Sequence, residues 1–168
     1  QQAFDHQVLK SFGITPSPQP NLSIWHDIVE KINNLSGEIK VGVVGKYTKS
    51  SDAYKSLIEA LDHSCIENGV KLSLKLINSR TLSEANIIDK LKDIDCIIVP
   101  GGFGDNGVDG KIRAIQYARI NKIPFLGICL GMQLSVIEIA RNVCNIKDAS
   151  SSEFGPCDDN VVGLLNEW

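Results

Sequence analysis

From Ile39 onward the chain alternates short β-rich runs with amphipathic stretches, and few folds accommodate that alternation. A strand that leads into a helix and then another strand returns to a parallel neighbour, so the pattern predicts an α/β fold, a mostly parallel sheet with flanking helices in three layers. The expected strands are Ile39 to Val44, Lys71 to Ile77, Cys96 to Val99 and Pro124 to Ile128. A first helix from Asp52 to Asn68 sets Ala53, Leu57, Leu61 and Cys65 on one stripe at four-residue steps, and Gly69 stops it. A second is expected from a cap at Ser83 to about Leu91, a third from about Gly110 to Arg119 and a fourth from Leu130 to Val143. The fourth carries Leu134, Val136, Ile137, Ile139, Ala140 and Val143, apolar on more than one side, and is expected to lie deep.

Residues 1–38 read differently. Pro16, Pro18 and Pro20 fall within five residues and suit neither a helix interior nor a central strand, which predicts an extended connector. Asn21 and Ser23 then offer caps for a short helix from about Ile24 to Ile32, ended by Asn33 to Gly37. The boundary between connector and domain is therefore set at 38/39.

Of the 168 residues, 43% are hydrophobic and 22% charged, proportions that exclude a disordered or fibrous chain. Seventeen basic against twenty acidic side chains, with no dense Lys/Arg cluster, disfavour nucleic acid as a partner. Apolar stretches such as Cys96 to Pro100 fall far short of the roughly 20 residues of a membrane span. Five cysteines, an odd number with no C-x-x-C pair, suit neither a zinc site nor a closed disulfide framework, so no metal and a reducing, cytoplasmic compartment are expected. The chain starts at Gln1 and stops just after the apolar run Val161 to Leu165, which suggests a piece of a longer protein.

Two loops at the carboxyl ends of the expected strands are chemically unusual. Gly102 to Gly107 spells G-x-G-x-x-G, but it follows the third strand and no acidic residue ends the next one, so a dinucleotide site is rejected. Gly45-Lys46 is followed by Tyr47 where a P-loop needs Ser or Thr. What survives is that Pro100-Gly101-Gly102 brings backbone N–H groups close to a ligand, against the plainer reading of a tight loop. The second loop, Gly127-Ile128-Cys129-Leu130-Gly131-Met132-Gln133, places a cysteine between an apolar strand and an apolar helix with glycines two residues to either side. That is the thiol form of a nucleophile elbow, and a helix N-terminus favours the thiolate. The plainer alternative is a small buried hydrophobe.

These two segments resemble the nucleophile and oxyanion segments of class I glutamine amidotransferases, which implies flavodoxin-like winding and a fold incomplete at the C-terminus. Val44-Gly45-Lys46-Tyr47, Asp52-Ala53-Tyr54-Lys55-Ser56, Glu59-Ala60-Leu61, Gly101 to Gly110 and Ser151-Ser152-Glu153-Phe154 are similar to one branch of that family, whose glutaminase domain feeds ammonia to a synthetase domain that aminates UTP to CTP. The likeness includes Leu22 to Asn33, similar to the link between those domains, and spans essentially the whole chain.

The resemblance implies roles. Cys129 would attack the side-chain amide of L-glutamine, forming a thioester and releasing ammonia. Gly102 and Leu130 N–H groups would hold the oxyanion, with Gly131, Met132, Gln133 and Glu153 completing the glutamine site and Glu153 facing the α-ammonium group. ATP, magnesium and UTP would bind a synthetase domain preceding Gln1, GTP would be an activator, and the full-length protein would be a homotetramer. Asn106 stands where the family usually has Arg, which bears on the GTP response. The catalytic His and Glu would follow Trp168, since His6, His26 and His63 all precede Cys129. The fragment alone is therefore expected to be inactive. The alternatives are a glutaminase-like regulatory module without a base, and another cysteine hydrolase of similar fold, against which Leu130 after the nucleophile counts.

Overall fold

The computed structural model describes residues 4–14, 20–48 and 52–164 and divides the chain into two compact units, Gln1–Asn34 and Leu35–Trp168. Pro16, Pro18, Leu165 and Trp168 lie outside the described residues.

The first unit contains α1 (Phe4–Ser11) and α2 (Ser23–Asn33). The extended reading missed α1, although Phe4, Val8 and Phe12 recur at four-residue steps and Asp5 and Lys10 suit the helix dipole at its two ends. Neither expected cap closes α2: it follows Leu22, and the Asn21 side chain accepts from the Ser23 N–H at 3.1 Å.

The second unit runs β1 (Glu38–Gly45), α3 (Lys55–Glu67), β2 (Lys71–Asn78), a 3-10 turn (Ser79–Thr81), α4 (Ile87–Leu91), β3 (Cys96–Val99), α5 (Val108–Asn121), β4 (Phe125–Gly127) and α6 (Leu130–Asn142). Strand order is β2-β1-β3-β4, with every pair parallel. This is the flavodoxin-like order, in which the chain reverses direction across the sheet between β1 and β3 and ligands sit beyond the carboxyl ends there. A second sheet, β5 (Ser150–Ser151) with β6 (Asn160–Val162), flanks a 3-10 turn at Ser152–Phe154.

Alternation along the strands sorts side chains into two cores. Val41, Val43 and Ile98 face Leu57 and Leu61 of α3. Val44, Ile97 and Val99 face the other way, toward Ala114, Ile115 and Ala118 of α5 and Leu130, Leu134 and Ile137 of α6. Each fully buried Ile or Leu contributes about 1.5–3 kcal/mol, so this second core dominates the unit's stability.

Two helices depart from expectation. Ser83 caps nothing: α4 is five residues long, and Asn86 turns back so that its side chain accepts from the Ser83 N–H at 3.0 Å. Helix α6 does not lie deep on every side; Leu134, Ile137 and Ala140 are buried, whereas Val136, Ile139 and Val143 are exposed on the opposite face. Its buried face also carries Glu138, fully buried and held by the Arg119 guanidinium of α5 at 2.7 Å and by Asn142 at 3.0 Å.

Candidate active site

Cys129 sits between β4 and α6 with φ 53° and ψ −114°. A positive φ with so negative a ψ lies outside the left-handed helical well, in a region where only glycine is unstrained. Lys122 shows the contrast: its φ 56° and ψ 35° fall inside that well. The strain is held by close approaches. A Cβ on Gly131 would stand 1.9 Å from the Val99 carbonyl oxygen, and one on Gly127 would stand 2.7 Å from the Gly131 backbone. The glycines two residues before and after Cys129 thus let strand, turn and helix touch, and the touch projects the Cys129 side chain outward, where it is exposed.

The loop after β3 closes over the same point. A Cβ on Gly101 would lie 3.2 Å from the Cys129 Cβ and 3.7 Å from its Sγ. Gly102 follows at φ 141°, a conformation that L side chains rarely adopt. Among the described residues, the N–H groups of Gly102 and Leu130 donate to no protein acceptor, whereas Gly131 N–H donates to Ile128 and Met132 N–H to the Cys129 carbonyl. Two free donors therefore bracket the thiol, and the next two along α6 are already engaged.

Beside them lies a cavity of about 400 Å³ lined by Phe103, Gln133, Ser151, Ser152, Glu153 and Val162, among others. Glu153 reaches it from the 3-10 turn, which the Ser151 hydroxyl caps by accepting from the Glu153 N–H at 3.2 Å. One Glu153 oxygen accepts from Gly104 N–H at 2.9 Å, tying this turn to the loop after β3. Met132, by contrast, is 56% exposed. Asn106 lines a separate cavity of about 200 Å³ with Ser79, Arg80 and Arg113.

Among the described residues of the second unit, no histidine joins this group. His6 and His26 belong to α1 and α2. His63 is exposed on α3, eight residues and about 12 Å down a helix that runs away from the carboxyl edge of the sheet. Among the described residues no cluster of three or more His, Cys, Asp or Glu side chains could hold a metal ion, and no helix is long and apolar enough to cross a membrane.

Two lysines near the loop were not anticipated. The Lys46 amine, beyond β1, donates to the Phe103 carbonyl and stands 5.3 Å from the Tyr47 ring centre. Lys111 is buried in α5, and its amine is 3.4 Å from the Pro100 carbonyl oxygen. The sequence did carry a signal for it: Lys111 is in phase with Ala114, Ile115 and Ala118, a lysine on a core stripe.

A strained cysteine at a strand-to-helix turn, backed by free N–H groups on a parallel sheet, is an arrangement suited to a nucleophile, and residues 50–161 match the family model for glutamine amidotransferase class-I. The chain belongs to that family. It is 50% identical over 167 residues to the CTP synthase of Maricaulis maris (strain MCS10) and 51% identical over 170 residues to that of Caulobacter sp. (strain K31), matching 99% and 100% of this chain. It spans 31% of the length of each. Among solved structures it resembles the glutaminase domain of Trypanosoma brucei CTPS with bound acivicin, with a TM-score of 0.70 and 40% identity over 76% of this chain and 50% of that one.

Proposed function

We propose that this chain is the nucleophile-bearing part of the glutaminase domain of a CTP synthase. The strained conformation of Cys129, with free N–H groups on either side, carries this reading. In the reaction, the Cys129 thiolate adds to the side-chain carbonyl carbon of L-glutamine, and the carbonyl oxygen takes up negative charge. Gly102 and Leu130 N–H groups, which have no other acceptor among the described residues, stabilise that oxyanion. The C–N bond then breaks, ammonia leaves with a proton, and a thioester remains for water to hydrolyse. Gln133 and Glu153 hold the amino-acid end in the adjacent cavity, Glu153 offering a carboxylate to the α-ammonium group.

The base that takes the thiol proton and returns it to ammonia is not His63, which is exposed and far down α3 from the carboxyl edge of the sheet. It comes from residues outside 1–168, as does the synthetase that uses ATP, magnesium and UTP, and the chain by itself is not a steady-state glutaminase. The ammonia aminates UTP to CTP in the complete protein, a cytoplasmic homotetramer, with GTP as activator. The solved relative's acivicin, a glutamine analogue, supports glutamine as the substrate.

Calorimetric titration tests the site. L-Glutamine is expected to bind this chain and to bind the Glu153→Gln variant at least about tenfold more weakly, the loss of one charge-assisted contact. Equal binding of L-glutamine and its D-isomer, or no effect of the variant, would overturn the assignment.

A further inference from the structure

We propose that Lys46 is a positioning residue for the amino end of L-glutamine, acting through one peptide group that it and Glu153 clamp from opposite sides. The inference rests on the glutaminase reading and adds a residue to it. The peptide is the one between Phe103 and Gly104. The Lys46 amine donates to its oxygen, and its N–H donates to a Glu153 carboxylate oxygen at 2.9 Å. A peptide group is planar, so holding both of its polar atoms fixes the plane. Little else does. Glycines flank Phe103, with φ 141° at Gly102 and φ 80° at Gly104, and the Phe103 side chain is 83% exposed, so neither backbone sterics nor packing sets the orientation.

Lys46 is itself held for this contact. It follows β1 at the carboxyl edge of the sheet, between two residues that touch buried Tyr54. A Cβ on Gly45 would stand 2.1 Å from the Tyr54 hydroxyl, and the Tyr47 N–H donates to that hydroxyl at 3.3 Å. A Cβ on Gly102 would stand 3.3 Å from the Lys46 Cε, so this glycine also makes room for the lysine stem. A cation at the peptide oxygen and a carboxylate at the N–H polarise the group in the same sense, and each contact strengthens the other. Among the described residues no other hydrogen bond or salt bridge holds the Glu153 carboxylate, so the Gly104 N–H aims it and its second oxygen is left for the α-ammonium group. Lys46, by fixing that N–H, sets where the carboxylate stands.

The test is a double-substitution cycle read by calorimetric titration of L-glutamine into this chain. Lys46→Met and Glu153→Ala are each expected to weaken binding about tenfold. The double variant is expected to bind no more weakly than Glu153→Ala, because Lys46 acts only through Glu153, and Lys46→Ala in place of Lys46→Met repeats the pattern. A lysine that merely supported the fold would cost the same factor in both backgrounds. A double variant about tenfold weaker than Glu153→Ala therefore overturns the proposal, and so does unchanged binding by Lys46→Met and Lys46→Ala. Failure of the unsubstituted chain to bind L-glutamine overturns the glutaminase reading and this proposal with it, whereas binding with independent effects of the two substitutions overturns this proposal alone.

Discussion

Replacing Cys129 by glycine should make the protein more stable. With φ 53° and ψ −114°, Cys129 occupies a backbone region that costs a non-glycine residue about 1–3 kcal/mol. Glycine removes that strain but brings extra unfolded-state freedom, worth about 0.5–1 kcal/mol in the opposite direction. The Cys129 side chain is exposed, so truncating it sacrifices little packing. The balance for Cys129→Gly is a gain of about 1 kcal/mol, which for a unit of this size raises the melting temperature by about 4 °C. Cys129→Ala is the necessary partner, because alanine keeps the Cβ and therefore the strain, and its melting temperature should match that of the unsubstituted chain. Thermal unfolding followed by circular dichroism on the three proteins reads the difference. A glycine variant no more stable than the alanine variant would refute the claim that the turn holds its nucleophile under strain.

Gly131→Ala drives a Cβ to within 1.9 Å of the Val99 carbonyl oxygen, a backbone atom that cannot swing aside, so at least about 3 kcal/mol of stability should be lost in urea unfolding. Arg119→Met leaves the fully buried Glu138 carboxylate with Asn142 alone and should lower stability by about 2 kcal/mol, less than for a wholly buried pair because water reaches Arg119; adding Glu138→Met should recover part of the loss. Because the Lys111 amine is pushed down in the folded state, the unfolded chain binds more protons between that lowered value and 10.5, and stability rises with pH across the window. Lys111→Met should therefore be more stable than the parent at neutral pH, with the advantage shrinking as pH approaches 10.5; melting curves across that range showing a constant or growing gap would contradict it.

The strands were legible because β1 and β3 are short β-branched runs and β2 alternates Leu72, Leu74 and Leu76 with Ser73 and Lys75, and the observed β1, β2 and β3 differ from expectation by no more than a residue at either end. The α4 start was not legible, since Ser83 is a good cap in isolation and only the structure shows Asn86 folding back on it. Burial of α6 misled for a related reason. A helix apolar all round reads as central, yet periodicity cannot say which face meets a neighbour. Cys129 could be singled out because its glycines stand at fixed offsets, and the close approaches at Gly127 and Gly131 give that spacing its physical cause. Lys111 and Lys46 were overlooked: each meets the loop after β3 only through tertiary contacts, 11 and 57 residues away in sequence.

The central claim is that Cys129 is a reactive nucleophile beside a site for L-glutamine, and protection from alkylation tests it most directly. Brief iodoacetamide treatment at neutral pH should modify Cys129 ahead of Cys144, the other exposed thiol, and leave Cys65 and Cys96, whose thiols burial pushes up, unmodified. Saturating L-glutamine should slow the reaction at Cys129 alone. Equal rates at Cys129 and Cys144, or a Cys129 rate indifferent to glutamine, would contradict the account.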